Sequence, residues 1–199
     1  MPNWCENTLN IKFNNKKDMD KFLETYFTND CFDFDKVIPE PKTLEECPKD
    51  YLILTKEDKD KAHIMSDDNR PWFNWYAWRL THWGCKWSLS DSYQFIKNNT
   101  LSISFSTPWS PCLPVIKELS FNGLDYTFDY IYYEPGMCFA GLLRFNGINL
   151  IESEVTLYED NVDYYQFLLD HELEPEEILS DPDWYNLEII NHKVIGERK

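Results

Sequence analysis

One histidine and one cysteine in the chain have the spacing of half a zinc site. Two residues separate His82 from Cys85, and Cys5 could in principle supply a further ligand. A tetrahedral zinc site needs four such ligands, and the sequence holds no second pair at this spacing. Because cysteine is also among the residue types that are most often simply buried, we predict no metal and no cofactor.

The chain lacks the sequence signatures of common catalytic and phosphate-binding sites. It contains no GxGxxG, GxxxxGK[ST], GxSxG or HExxH motif. Paired acids such as Glu45-Glu46 and Glu176-Glu177 could act as general acid and base, but they stand in charge-rich stretches where nothing marks them as desolvated. We therefore predict a protein that is not an enzyme.

A tryptophan-rich stretch could stack nucleic-acid bases. It contains Trp72, Trp75, Trp78, Trp83 and Trp87, together with Tyr76. Stacking platforms of this kind occur in positively charged grooves, whereas only Arg70, Arg79 and Lys86 are near this one. The sequence therefore favours packing in the core over base stacking.

Alternating serines predict a polar face on two adjacent strands. The strands would span residues 87–93 and 101–106, with Ser88, Ser90, Ser92, Ser102, Ser104 and Ser106 on the polar face. In RNA-binding modules of related topology this face carries stacking aromatic residues. Serines cannot stack, so RNA recognition through the sheet is disfavoured.

Negative charge is concentrated toward the C-terminal end. The chain has 35 Asp and Glu against 19 Lys and Arg, a net charge of −16, and no Lys or Arg occurs from Phe145 to His192. Aromatic and aliphatic residues interrupt the acids, which predicts a folded segment that fixes its carboxylates in place. Fixed carboxylates can imitate phosphates; a solvated acidic surface that only aids solubility is the competing interpretation.

Six carboxylates within twelve residues are the predicted partner-binding site. They are Glu172, Glu174, Glu176, Glu177, Asp181 and Asp183, and the same stretch contains two prolines and no base. Their mutual repulsion should cost stability unless a basic surface offsets it. We expect a basic partner protein to provide that surface.

Periodicity predicts an α+β domain. The expected elements are a strand over 5–13, a helix over 18–28, a Trp-rich helical insertion over about 42–83 with a helix that starts at Pro71, the two serine strands, a helix over 112–121 burying Leu113, Ile116, Leu119 and Phe121, a strand over 126–133, and a hairpin of 139–145 and 148–157. Asn146-Gly147 predicts a type I′ turn in that hairpin. Without the insertion and the last strand this is the βαββαβ plan of a ferredoxin-like antiparallel sheet, with helices mainly on one face.

The pattern of elements and charges predicts two parts of the chain. A ferredoxin-like domain would span 1–157, and an acidic helical C-terminal extension would span 158–199 and begin with a helix over 160–173.

Five segments also resemble, in order, the YubB-like ferredoxin-like domain family of bacteriophages and plasmids: MPNWCENTL, FDFDKVIPEP, NWYAWRLTHWGCKW, FSTPWSPCLPV and YYEPGMCFAG. The resemblance covers roughly 1–145. It implies a ferredoxin-like fold and a mobile-element origin, and it supplies no catalytic residues.

Charge and resemblance together give the first functional hypothesis. The protein would bind a basic, nucleic-acid-handling host protein through its acidic surface, as a counter-defence inhibitor or DNA mimic such as an anti-CRISPR. The alternatives are a nucleotide- or metal-binding ferredoxin-like domain, possibly enzymatic, and a structural accessory protein. The net charge argues against direct binding of duplex DNA.

Cysteine usage and hydropathy indicate where the protein acts. The six cysteines are spread singly without a CxxC pair, and no basic-then-apolar leader precedes them, which is typical of a reducing compartment. No apolar run approaches the roughly 20 residues that cross a bilayer. We expect the protein in the host cytoplasm, away from membranes.

Overall fold

The computed structural model describes residues 3–43, 46–53, 72–123, 125–156, 161–173, 187–190 and 193–196. In chain order the elements are β1 (Trp4–Phe13), α1 (Lys16–Tyr26), β2 (Phe27–Thr28), β3 (Cys31–Phe32), α2 (Phe34–Val37), a 3-10 turn (Lys49–Tyr51), β4 (Leu52–Ile53), β5 (Trp72–Phe73), α3 (Trp75–His82), β6 (Ser90–Lys97), β7 (Thr100–Pro108), α4 (Leu113–Ser120), β8 (Tyr126–Glu134), β9 (Phe139–Asn146), β10 (Asn149–Val155), α5 (Asn161–Asp170), β11 (Leu187–Ile190) and β12 (Lys193–Gly196).

Six strands form one antiparallel sheet in the order β10-β9-β8-β1-β7-β6. Within it, β1, β6, β7 and β8 are the four strands of the ferredoxin-like plan. The fourth of these strands, β8, pairs with the first, β1, and the third, β7, lies between β1 and the second, β6. The helices α1 and α4 provide the two crossovers. The prediction of a ferredoxin-like α+β fold is confirmed.

The main core lies between the helices and one face of the sheet. Strand β1 alternates buried and partly exposed residues over its whole length, which places Leu9, Ile11 and Phe13 inside. Helix α1 adds Met19 and Phe22. Side chains of this size stabilise the fold by about 1.5–3 kcal/mol each when fully buried, so the period-2 pattern of the strand is enforced by packing.

Helix α5 covers the opposite face of the sheet over β8 and β9. A second apolar cluster there joins Tyr164, Tyr165, Phe167 and Leu168 of the helix to Cys138, Ala140 and Leu142. The helix predicted over 160–173 is therefore present in a shorter form. Its packing means that the sheet carries helices on both faces, although most lie on one.

Two predicted core positions of α4 are wrong. Leu113 is 38% exposed and Phe121 is 56% exposed, whereas Val115 is buried beside Ile116 and Leu119. Leu113 is the first residue of the helix and Phe121 follows its last, so neither lies on the stripe that faces the sheet. The predicted helix was one residue longer at each end, and its apolar stripe therefore included these two terminal positions.

The turn between β9 and β10 also differs from the prediction. Asn146 pairs with Asn149, so Gly147 and Ile148 are the two central residues. Gly147 has a φ of 54°, whereas Asn146 and Ile148 do not have positive φ values. A positive φ at the first central position alone is the pattern of a type II′ turn, for which glycine is favoured at that place.

The insertion begins its helix later than predicted. Trp72 and Phe73 form strand β5, which pairs with β4, and α3 starts at Trp75. The side chain of Asn74 accepts a hydrogen bond from the Ala77 backbone N–H, so Asn74 caps the helix instead of Pro71 starting it.

Candidate functional site

His82 and Cys85 have separate structural contacts. The His82 ring stacks on Trp78 at 4.4 Å, and its Nδ1 lies 2.9 Å from the Trp78 carbonyl oxygen. The buried Cys85 thiol donates to the Trp87 carbonyl oxygen at 3.3 Å. Within the described residues, no group of three or more histidine, cysteine, aspartate and glutamate side chains could hold a metal ion.

Burial also keeps the thiols of the core protonated. It raises the pKa of Cys112 to about 12, and it raises the pKa values of Cys5 and Cys85 well above the ordinary thiol value. Because the thiolate is the nucleophile and the metal ligand, these three groups are inert at neutral pH.

The tryptophan-rich stretch packs largely against the core. Trp78 and Trp83 are buried, and the Trp83 indole N–H donates to the Ile38 carbonyl oxygen at 2.9 Å. The Arg79 guanidinium lies 5.0 Å from the ring centres of both Trp75 and Trp83. The prediction of core packing is confirmed for Trp78 and Trp83; the Trp72 side chain lies outside the described residues.

Arg79 also forms an ion pair with the carboxylate of Glu40. Its Nε and Nη2 donate to the two carboxylate oxygens at 2.8 and 2.6 Å, and both side chains are less than one-fifth exposed. Two parallel hydrogen bonds fix the geometry of the pair. This contact attaches the insertion to the segment after α2, and it uses one of the basic groups near the tryptophans.

A buried polar network was missed by the sequence analysis. The Asn7 side-chain amide donates to the Cys5 and Phe105 carbonyl oxygens and to the Thr107 hydroxyl, at 2.7, 3.2 and 3.0 Å. The Tyr130 hydroxyl donates to the Asn7 side-chain oxygen. Asn7 stands at an apolar position of the β1 alternation, and that was the available signal. Its partners explain its burial as structural.

An acidic cleft lies between β10 and α5. It encloses about 360 Å³, and its walls include Glu154 from the strand and Asp163, Gln166, Asp170 and the largely buried Phe167 from the helix. Asp163 and Asp170 are seven residues apart, so they lie on the same face of α5. The cleft is therefore lined by three carboxylates.

Local contacts hold the polar groups around the cleft. His171 Nε2 lies 3.2 Å from the Glu154 carboxylate, and the Gln166 amide donates to Asp170 at 2.8 Å. On the adjacent strand, Arg144 donates to Asp129 at 2.8 Å and also contacts Glu152. These two carboxylates raise the pKa of Arg144, Asp129 more strongly, so its charge is already compensated within the sheet.

Of the six predicted partner-binding carboxylates, the structure describes Glu172. It is exposed and follows α5 with a φ of 54°, and its backbone N–H donates to the Leu169 carbonyl oxygen at 3.3 Å. Glu174, Glu176, Glu177, Asp181 and Asp183 lie outside the described residues. Their role in binding stays a prediction.

The predicted serine face carries two aromatic rings. A bulge between Ser90 and Tyr93, where Asp91 has a φ of 48°, shifts the register of β6. Tyr93 and Phe95 consequently pair with Ser104 and Ser102, on the polar face, where they are 68% and 54% exposed. The prediction that this face lacks stacking groups is wrong, because strict alternation cannot anticipate an extra residue in a strand.

The neighbouring positions of this open face are polar and partly basic. Lys97 and Lys12 both pair with Thr100, so the two ammonium groups flank the same end of β7. Next to them, the Ser102 hydroxyl donates to the Asn10 side-chain oxygen at 2.6 Å. The face thus combines two exposed rings with two lysines, although the whole protein is acidic.

The topology and the packing define a ferredoxin-like α+β domain that is extended by the β9–β10 hairpin and by α5. The model of the ferredoxin-like domain in Api92-like proteins matches residues 82–181, and the chain belongs to this family. The crystal structure of protein api92 from Yersinia pseudotuberculosis is similar, with 11% sequence identity and a TM-score of 0.49 over 79% of this chain and 99% of that chain. Curated proteins give no match.

No helix in the described part of the chain is both long and apolar enough to cross a membrane.

Proposed function

We propose that the protein is a non-enzymatic binding protein whose acidic surface around β10 and α5 engages a basic partner protein. The observation that carries this proposal is the cleft that Glu154, Asp163 and Asp170 line together. A lysine or arginine side chain suits such a cleft, since its charged end can meet the carboxylates. Surface charge of this kind chiefly accelerates association and selects among partners.

The proposed partner is a nucleic-acid-handling protein of a bacterial host. Such proteins bind phosphates through basic grooves, and carboxylates fixed on the outer face of a packed helix can occupy those grooves. The resemblance of five sequence segments to YubB-like phage and plasmid proteins supports an origin on a mobile element. A counter-defence inhibitor that mimics DNA, such as an anti-CRISPR, combines these two features, and it acts in the host cytoplasm.

The test compares two variants with the same change in net charge. The cleft variant carries Glu154→Gln, Asp163→Asn and Asp170→Asn. The control carries Glu24→Gln, Asp50→Asn and Glu118→Gln, which neutralise three exposed acids outside β10 and α5. A basic protein captured from bacterial lysate at low salt is purified and its association rate measured with each variant.

We expect the cleft variant to associate about tenfold more slowly than the control at low salt. The difference should shrink as salt screens charges beyond a Debye length of about 8 Å near 0.15 M. Equal association rates for the two variants would refute the cleft as the binding surface, and failure to capture any basic protein would refute the proposed function.

A second candidate function rests on the open face of the sheet. Tyr93 and Phe95 are spaced to stack on successive bases or on a nucleotide ring, and Lys12 and Lys97 can contact phosphates. Fluorescence titration with oligo-dT, oligo-rU and free ATP would test this alternative. Binding that is lost on replacement of both rings by alanine supports it, and unchanged fluorescence at millimolar ligand excludes it.

A further inference from the structure

Strand β10 lies at one edge of the described sheet. It is the terminal strand next to β9, and among the described residues no strand pairs with its outer side. All seven of its residues are exposed. With the turn before it, the strand displays Ile148, Leu150, Ile151 and Val155, which are 51–62% exposed. An exposed apolar edge strand readily pairs with another chain, and natural proteins usually protect such edges.

The two faces of β10 differ in chemistry. Glu152 and Glu154 pair with Arg144 and Leu142, on the face that α5 covers. Ser153 and Val155 pair with Leu143 and Gly141, and they point to the face of the main core. A strand added outside β10 would therefore meet carboxylates on one face and largely apolar groups on the other.

Backbone hydrogen bonds show which groups of β10 point away from β9. The Thr156 N–H donates inward to the Ala140 carbonyl oxygen at 2.9 Å. In an antiparallel ladder the groups of successive residues point alternately to one side and the other, so those of Val155 and Ser153 point away from β9. An added strand would bond to these groups.

Charge makes a second copy of the chain a poor occupant. If two β10 strands paired antiparallel about Ser153, Glu152 of each copy would lie opposite Glu154 of the other. Like charges directly opposite each other destabilise a strand pair, and the single Arg144 between Asp129 and Glu152 cannot neutralise both carboxylates. A segment with lysine or arginine at these positions would instead place opposite charges across the new ladder.

We propose that β10 is a strand-addition site for an extended segment of the basic partner, in which lysine or arginine alternates with apolar residues. The inference rests on the proposed function and gives it a binding mode. Main-chain hydrogen bonds would supply affinity, and the alternating side chains would supply specificity. The basic side chains would face Glu152 and Glu154 and extend toward the cleft.

Two peptides of equal composition test the binding mode on the unmodified protein. One alternates lysine and valine over eight residues, and the other has four lysines followed by four valines. Both are capped at their ends, and fluorescence anisotropy of a labelled form gives each dissociation constant. Only the alternating peptide can place all lysines on one face of a strand, so we expect it to bind about tenfold more tightly. Equal affinities would overturn the inference.

A matched pair of variants tests the backbone edge. Ser153→Pro removes the outward N–H at a position where proline suits an edge strand, whereas Ser153→Ala keeps it. We expect proline to weaken the alternating peptide about tenfold and alanine to leave it unchanged. Near-UV circular dichroism verifies that both variants are folded. If the proline variant does not fold, the comparison of the two peptides on the unmodified protein still tests the inference.

The outcomes separate this inference from the proposed function. If the cleft variant loses the alternating peptide while Ser153→Pro binds it normally, the carboxylates act without strand addition, and only the inference fails. If neither variant changes binding, both fail. A dimer seen by light scattering that dissociates on Ser153→Pro would show that β10 pairs with its own copy, which also overturns the inference.

Discussion

Replacing tyrosine by phenylalanine should have opposite effects on stability at two buried positions. The Tyr130 hydroxyl donates to the Asn7 side chain and accepts the Cys112 backbone N–H at 3.2 Å. The Tyr164 hydroxyl is also buried, but it has no hydrogen-bond partner among the described residues. The same chemical change therefore removes a hydroxyl with satisfied hydrogen bonds in one case and an unsatisfied hydroxyl in the other.

The magnitudes follow from these contacts. Without the Tyr130 hydroxyl, the Asn7 side-chain oxygen and the Cys112 N–H each lose a partner inside the core. An unsatisfied buried group costs about 1–3 kcal/mol, so we expect Tyr130→Phe to lower the free energy of unfolding by about 3 kcal/mol. Removing the unsatisfied Tyr164 hydroxyl should raise it by about 1–2 kcal/mol.

Equilibrium urea unfolding followed by tryptophan fluorescence measures both variants. For a protein of this size about 1 kcal/mol corresponds to 2–4 °C in Tm, so thermal unfolding should show a fall of about 6–12 °C for Tyr130→Phe and a rise of a few degrees for Tyr164→Phe. Destabilisation of the Tyr164 variant by more than about 1 kcal/mol would refute the reasoning. It would mean that the hydroxyl has a stabilising interaction in solution.

Three further predictions concern the ion pair of the insertion, the buried thiol and phenol groups of the core, and the surface charge. Arg79→Ala should cost about 3 kcal/mol in urea unfolding because it leaves Glu40 largely buried without its partner, and Glu40→Gln should cost less; equal stability of Arg79→Ala and wild type would contradict this. Burial raises the pKa of Cys112 and of Tyr132 to about 12, so the stability that these groups contribute is complete below their unfolded pKa values and lost as the pH rises from about 9 to 12. Thermal unfolding measured across this pH range should show a falling Tm, and a Tm that stays constant up to pH 11 would contradict the predicted loss of stability. Finally, random-sequence duplex DNA should show no gel shift at physiological salt, and a salt-sensitive shift would contradict the charge argument.

The central strands were predictable because packing and pattern agree there. Strand β1 is buried on one face by the main core, so each apolar residue from Leu9 to Phe13 is needed inside, and the period of two is preserved. Strand β6 lies at the edge, where most of its side chains are exposed and fewer packing contacts fix the register. The bulge at Asp91 could form there, and it moved Tyr93 and Phe95 to the other face. Sequence alternation alone does not report that shift.

The candidate cleft could be predicted only in part from the sequence. Asp163, Gln166 and Asp170 share a helix face by their spacing, opposite the side chains that pack on the sheet, and that pattern can be seen in the sequence. Glu154 joins them only because the β9–β10 hairpin brings the strand beside α5. A contact of that kind depends on tertiary structure and cannot be predicted from spacing. The six carboxylates from Glu172 to Asp183 were predicted from their density in the sequence, and their role stays a prediction.

The acidic surface depends on elements that lie outside the four-strand plan. In that plan β8 would form the edge of the sheet, with Ile131 and Tyr133 exposed on its second face. The β9–β10 hairpin moves the edge outward by two strands and adds Ala140 and Leu142 to the same face, which gives α5 an apolar surface on which to pack. Packing of Tyr164, Phe167 and Leu168 then holds the acidic side of α5 in a fixed position. The backbone that carries these carboxylates is therefore already ordered, which lowers the entropy cost of the proposed binding to a basic partner.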